Sequence, residues 1–194
     1  MILIAKHFHL ERTLACGQAF RFKPVKDGWW FGVVGDKPLL VRQKGDALEL
    51  LSPCEDEAFW TRYFSLDRDY GEVEAMLSAD PKTAPAIACS AGMRILRQDP
   101  YETLISFVLS QNNNVKRIAG IIERLCEACG DKDVFMGIEY FAFPACEALA
   151  EATVRELEGL GTGYRAPYVI DCARKIRDGY DLNALKSLPF EQAK

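Results

Sequence analysis

Histidine is nearly missing from this chain: His7 and His9 are the only two in 194 residues. A structural zinc centre needs about four ligands, so the Cys126-x-x-Cys129 pair lacks partners for one. The pair sits in an apolar helical pattern near its end, with Gly130 placed as a C-cap. The seven cysteines are odd in number and irregularly spaced, which excludes a secreted disulfide framework and fits a reducing, cytoplasmic compartment. No apolar run approaches the roughly 20 residues that a membrane helix needs. Met1-Ile2-Leu3-Ile4-Ala5 is too short for a signal core and runs straight into charged sequence. No internal repeat is present, so a solenoid is excluded. A positive net charge is also lacking: the balance is −4, a mild argument against nucleic acid, because phosphate binding wants cations. Distribution weighs more than the sum. Acidic residues crowd positions 49–74, whereas Arg155, Arg165, Arg174, Lys175 and Arg177 populate the later helices. No metal, cofactor or membrane partner is expected.

What is present describes a globular protein. Eleven Phe, seven Tyr and three Trp are too many for a disordered chain, and the length allows one or two domains with a real core. The pattern changes near residue 90. Residues 19–51 read as strands: Phe20 and Phe22 alternate with Arg21 and Lys23, and strands follow over 29–34, 39–43 and 47–51. Lys26-Asp27-Gly28 and Lys44-Gly45-Asp46 are tight turns between them. Gly32 and Gly35 mark a bulge or bend. Residues 55–64 read as a short helix with Phe59, Trp60 and Phe64 turned inward, and 72–78 as another. After Asp80-Pro81 the periodicity is helical almost throughout. Asp99 caps a helix with Pro100 at its first position. Further helices are expected from Asn113 or Asn114 to Gly130, over 143–149, 153–157 and 167–177, with a last turn over 182–188. The expected fold class is α+β: an antiparallel sheet domain with flanking helices at 1–90, then an all-helical domain at 91–194.

The helical half contains one conspicuous polar interruption, Gln111-Asn112-Asn113-Asn114. Three consecutive amides do not help a core, because each needs hydrogen-bond partners if buried. At a helix start they can cap backbone N–H groups and still offer an amide to a ligand. Lys116 and Arg117 follow within one turn. Helix start, amides and paired cations suit a phosphate or a base edge; a polar capping loop without further duty accounts for the same residues.

Gly159-Leu160-Gly161-Thr162-Gly163-Tyr164 superficially matches a nucleotide-binding loop. That motif requires a preceding strand, and here the preceding segment is helical, so a tight turn between helices is expected. Tyr164 and Arg165 stand at its exit. Such a pair can stack on bases and donate to a base edge, or serve as a core cap and a surface arginine.

These segments carry a resemblance. Leu96-Arg97-Gln98-Asp99-Pro100-Tyr101-Glu102-Thr103-Leu104-Ile105-Ser106-Phe107, Ser110-Gln111-Asn112-Asn113-Asn114-Val115-Lys116-Arg117-Ile118, Gly120, Glu123-Arg124-Leu125-Cys126, Gly161-Thr162-Gly163-Tyr164-Arg165-Ala166-Pro167-Tyr168-Val169 and the early Gly17-Gln18-Ala19-Phe20-Arg21 together resemble the 8-oxoguanine DNA glycosylase family, in order from about Leu10 to the end. Several spaced motifs in one order are far more specific than a lone glycine pattern.

The resemblance implies particular roles. Asn112, Arg117 and Arg165 match residues that hydrogen-bond the cytosine orphaned when the damaged base is extruded, and Tyr164 matches a wedge beside it. An orphaned base has unsatisfied donors and acceptors that one amide and two guanidinium forks can satisfy. Asn113, Asn114 and Lys116 are further DNA-contact candidates. Gly17 matches the glycine whose carbonyl accepts the N7 proton of 8-oxoguanine; by its residue type alone it is an ordinary turn glycine. The implied reaction is base flipping followed by displacement of the base by a lysine, with a Schiff base and β-elimination. The family's Gly-Val-Gly turn, the lysine after it and a later aspartate have no match here. Lys175, Lys186 and Lys194 do not stand in the required context, so no catalytic residue is assigned. The chain is therefore expected to be the N-terminal portion of a longer enzyme, inactive by itself, acting as a monomer on double-stranded DNA with 8-oxoguanine. A glycosylase for another damaged purine and a non-catalytic DNA-binding or interaction module are the alternatives.

Overall fold

A computed structural model describes residues 1–193, and they form two compact units that divide between Arg97 and Gln98. In the first unit, β1 (Ile2–Ile4), β2 (Phe22–Pro24), β3 (Trp30–Val34), β4 (Lys37–Lys44) and β5 (Ala47–Leu51) make one antiparallel sheet in the order β1-β5-β4-β3-β2. Helices α1 (Leu10–Ala15), α2 (Glu57–Tyr63), α3 (Tyr70–Ser78) and α4 (Ala84–Ser90) accompany it. Its core joins alternate residues of the strands, among them Leu39, Val41, Leu48 and Leu50, to Trp60 and Phe64, all essentially sealed from solvent. Burying each such side chain contributes roughly 1.5–3 kcal/mol. Asp56 caps α2 by accepting the Phe59 N–H, which aims Trp60 inward, and the indole donates to the Cys54 carbonyl at 2.9 Å.

Most of the sequence signals here hold, with refinements. The first strand of the hairpin covers Phe22–Pro24 rather than starting at Phe20. Gly32 is not a bulge, for the β2–β3 and β3–β4 registers run through it without a break. It stands opposite Phe22, whose ring covers it; a Cβ at Gly32 would lie 2.2 Å from Phe22 Cδ1. The glycine is a seat for a cross-strand aromatic. Gly35, with φ 62°, does make a turn. Strand β1 and helix α1 have no counterpart in the periodicity, since three and six residues are too few to show one. Residues 92–97 belong to the first unit: the Arg94 guanidinium donates to the Lys6, Ser65 and Arg68 carbonyls and stacks over Tyr70.

The second unit contains α5 (Pro100–Ser110), α6 (Val115–Cys129), α7 (Cys146–Glu151), α8 (Val154–Gly159), α9 (Ala166–Arg177) and α10 (Phe190–Ala193). Asp99 caps α5 as its sequence position suggests. Thr153 and Glu156 form a reciprocal capping box on α8. The expectation of an all-helical unit needs one correction: β6 (Lys132–Phe135) and β7 (Ile138–Phe141) pair as an antiparallel hairpin. Its two-residue turn is Met136-Gly137, both with positive φ. Hairpin turns of this kind are announced by Asn or Asp, and a methionine in the left-handed region gives no such signal. No helix among the described residues is long and apolar enough to cross a membrane.

Candidate functional site

Helix α5 ends at Ser110 and α6 begins at Val115, so the four-residue amide run is the connection between them. The three asparagines have separate duties. Asn114 is the N-cap of α6 and accepts the Arg117 N–H at 3.0 Å. Asn113 braces the loop, donating to the Leu109 carbonyl at 3.1 Å and accepting the Asn114 N–H at 3.1 Å. Asn112 occupies the left-handed region at φ 48°, which asparagine tolerates better than most residues. It is exposed, and its side-chain amide has no hydrogen-bond partner among the described residues. One amide of three is thus left for a ligand.

The loop is shaped from outside by Arg165. This residue lies at the junction of a 3₁₀ turn (Gly163–Arg165) and α9, and is only 4% exposed. Its Nε donates to the Gln111 carbonyl at 2.8 Å, Nη2 to the Gln111 carbonyl and to the Asn112 carbonyl at 3.0 Å, and Nη1 to the Thr162 carbonyl at 3.1 Å. A buried guanidinium is costly unless its N–H groups are matched, and here each nitrogen has a carbonyl. The sequence suggested a base reader or a surface arginine; in this conformation Arg165 is a clamp that fixes Gln111 and Asn112. Tyr164 stacks on the same guanidinium, 4.4 Å from its carbon to the ring centroid, and its hydroxyl donates to the Gln111 carbonyl at 3.4 Å. The ring is nevertheless 54% exposed. An aromatic held from behind and open in front is suited to stacking.

Lys116 and Arg117 lie in the first turn of α6 with exposed side chains and no ion-pair partner among the described residues. The structure therefore joins Asn112, Asn113, Asn114, Tyr164 and Arg165 through one loop, with Lys116 and Arg117 on the helix that leaves it. Gly17 lies in the first unit. It has φ 88°, a conformation that favours glycine, and follows the C-terminal end of α1. The next residue, Gln18, was not legible as a functional position, yet its amide holds the segment. It donates to the Thr13 carbonyl at 2.9 Å and the Arg94 carbonyl at 2.7 Å, and accepts the Leu96 N–H at 2.9 Å. Only its place directly after Gly17 could have pointed to it.

Other candidate chemistry is muted. Cys126 is buried and Cys129 half-buried on α6, and burial pushes the Cys129 thiol up, away from the thiolate that a metal would take. Lys175 is bound to Asp171 at 2.7 Å, which raises its pKa and opposes the free amine a nucleophile requires. Lys186 donates to Asn183 at 2.8 Å, and Lys194 lies outside the described residues. The glycine segment before Tyr164 follows α8 rather than a strand, so the dinucleotide-loop reading has no structural basis.

The family model described as 8-oxoguanine DNA glycosylase, N-terminal domain, matches residues 1–104. The chain belongs to this family. The model of the HhH-GPD superfamily base excision DNA repair protein matches residues 105–192. As a family member, the chain is 40% identical over 135 residues to an N-glycosylase/DNA lyase of Saccharomyces cerevisiae, spanning 68% of this chain and 36% of that protein. It is 30% identical over 171 residues to an N-glycosylase/DNA lyase of Arabidopsis thaliana, spanning 82% and 46%. Its fold matches the solved structure of Clostridium acetobutylicum 8-oxoguanine glycosylase/lyase in complex with double-stranded DNA containing cytosine opposite 8-oxoguanine, with TM-score 0.91 and 34% identity, over 100% of this chain and 71% of that one. The chain spans less than half the length of the two curated relatives it matches.

Proposed function

We propose that this chain is the part of a base-excision glycosylase/lyase that recognises duplex DNA carrying 8-oxoguanine opposite cytosine. The single observation that carries the reading is the division of labour in the amide run: Asn113 and Asn114 are spent on backbone, Asn112 is left free, and the exposed Tyr164 ring stands on the guanidinium that fixes Asn112. A free amide beside a supported aromatic fits a base left unpaired in a duplex. Asn112 and Arg117 supply donors and acceptors to the orphaned cytosine, and Tyr164 fills the space beside it. Arg165 holds the loop before binding and reaches the base by exchanging its contact with the Asn112 carbonyl. Lys116 contacts phosphate. Gly17, left-handed and braced by Gln18, presents its carbonyl to the N7 proton of the lesion. No cleaving residue is assigned among Lys175, Lys186 and Lys194. The protein acts as a single copy on chromosomal DNA in the cytoplasm.

The test is affinity for duplexes with 8-oxoguanine opposite each of the four bases. Asn112→Ala and Arg117→Ala should each cost about 1–3 kcal/mol of the preference for cytosine. Lys116→Ala should weaken all four duplexes equally. If both Asn112→Ala and Arg117→Ala keep the original preference, the orphan-base reading is wrong. Borohydride trapping on 8-oxoguanine duplex should give no covalent adduct; an adduct would show that a reactive amine is present and overturn the assignment of no cleaving residue.

A further inference from the structure

We infer that Arg124 is a phosphodiester-binding residue that extends the nucleic-acid surface of α6 beyond Arg117, to the glycine loop between α8 and α9; this rests on the DNA-binding reading above. Arg117, Gly120 and Arg124 stand at positions i, i+3 and i+7 of α6, so they share one helix face. Arg124 Nε donates to the Leu160 carbonyl at 2.8 Å, which anchors the stem of the guanidinium against the loop. The residue is exposed, and its two outer nitrogens have no hydrogen-bond or ion-pair partner among the described residues. An anchored fork with both outer nitrogens free is the arrangement that suits bidentate binding of a phosphate.

Two glycines keep the fork in place and approachable. At Gly161, φ 92°, a Cβ would lie 2.8 Å from Arg124 Nη2; at Gly120 it would lie 3.4 Å from Nη1. A side chain at 161 would displace the guanidinium, and one at 120 would stand between Arg117 and Arg124. Their absence leaves an open stretch of helix with a cation at each end. The ligand chemistry proposed is the sugar–phosphate backbone, whose paired oxygens accept from a fork of free N–H groups. The alternative is a staple, in which Arg124 only secures the loop through Leu160.

The experiment measures the salt dependence of duplex binding by the 194-residue chain carrying Arg124→Ala or Arg124→Lys, on undamaged and 8-oxoguanine duplexes, with thermal melting in parallel. Loss of one phosphate contact lowers the slope of log K against log salt by about 0.9. Arg124→Ala should show that decrease and weaken both duplexes by the same factor. Arg124→Lys keeps the cation but loses the Leu160 bond, and should recover most of the slope. A wild-type slope in Arg124→Ala, whatever happens to melting, overturns the proposal and leaves the staple. A preference between duplexes altered by Arg124→Ala also overturns it, because a backbone contact carries no such information. If the unmodified chain binds no duplex at low salt, the DNA-binding reading fails and this inference fails with it.

Discussion

The segment around Gly17 and the loop at 111–114 are both irregular backbone, and each is held by one long polar side chain, but the two holders differ in kind. Gln18 is neutral and both donates and accepts, so it links two carbonyls and one N–H from separate segments. Arg165 only donates, so it can gather nothing but carbonyls, and it collects three of them. A glutamine can stitch segments whose groups are of either polarity. A guanidinium can only close a loop that has already turned its oxygens inward, as the left-handed Asn112 helps this one to do. The contrast makes the first segment a junction and the second a preformed shape.

The strongest challenge to this contrast is Arg165→Ala. It removes a buried cation and strands the Gln111, Asn112 and Thr162 carbonyls, with an expected loss of about 3 kcal/mol, since hydrogen bonds to charged groups are worth roughly 1.5–3 kcal/mol each and are not additive. Arg165→Lys should recover less than half, because one ammonium cannot span the positions of three nitrogens. Urea denaturation measures both. Full recovery by lysine would mean that charge, and not the shape of the fork, holds the loop.

Gln18→Ala should cost less, about 2 kcal/mol for three neutral bonds. Gln18→Glu sharpens the point. It keeps the acceptor for the Leu96 N–H but turns carboxylate oxygen toward the Thr13 and Arg94 carbonyls, which raises the folded-state pKa of the new group. Its penalty is then present above that pKa and relieved as pH falls and the carboxyl protonates. A Gln18→Glu protein that weakens on acidification relative to wild type would show that the amide does not donate to those carbonyls.

The smallest effects separate the asparagines. Asn114→Ala removes the cap of α6 and should cost about 1 kcal/mol, whereas Asn112→Gly, which removes the amide but keeps the left-handed backbone accessible, should stay within about 0.5 kcal/mol. Chemical denaturation of the two variants tests whether the three amides have separate duties. Equal losses would merge cap and free amide into one structural unit.

These distinctions mark what could be seen in the sequence. The strands from Trp30 to Leu51, the Asp99 cap and the inward Trp60 were legible because each is a local pattern: alternation, a capping residue before proline, helical spacing. Strand β1 was not, since Ile2–Ile4 is defined by pairing with residues 47–49 and has no periodicity of its own. The hairpin at 132–141 was hidden by Met136 in a position where asparagine is usual. Among the site residues, composition pointed to the asparagine run as a group, but only the hydrogen bonds assign a cap to 114, a brace to 113 and freedom to 112. Burial of Arg165 had no signal, because an arginine beside a tyrosine and after glycines looks the same whether it faces solvent or carbonyls.

Arg165 binds its loop through carbonyl oxygens, which do not titrate in water. The pairing has no carboxylate to protonate, and buried charges are little screened by added ions. Added salt should therefore loosen the hold proposed for Lys116 and Arg117 on a polyanion without altering the contour of residues 111–112. In the proposed reading, ionic strength adjusts the tightness of binding, whereas the shape of residues 111–112 before binding is set inside the protein.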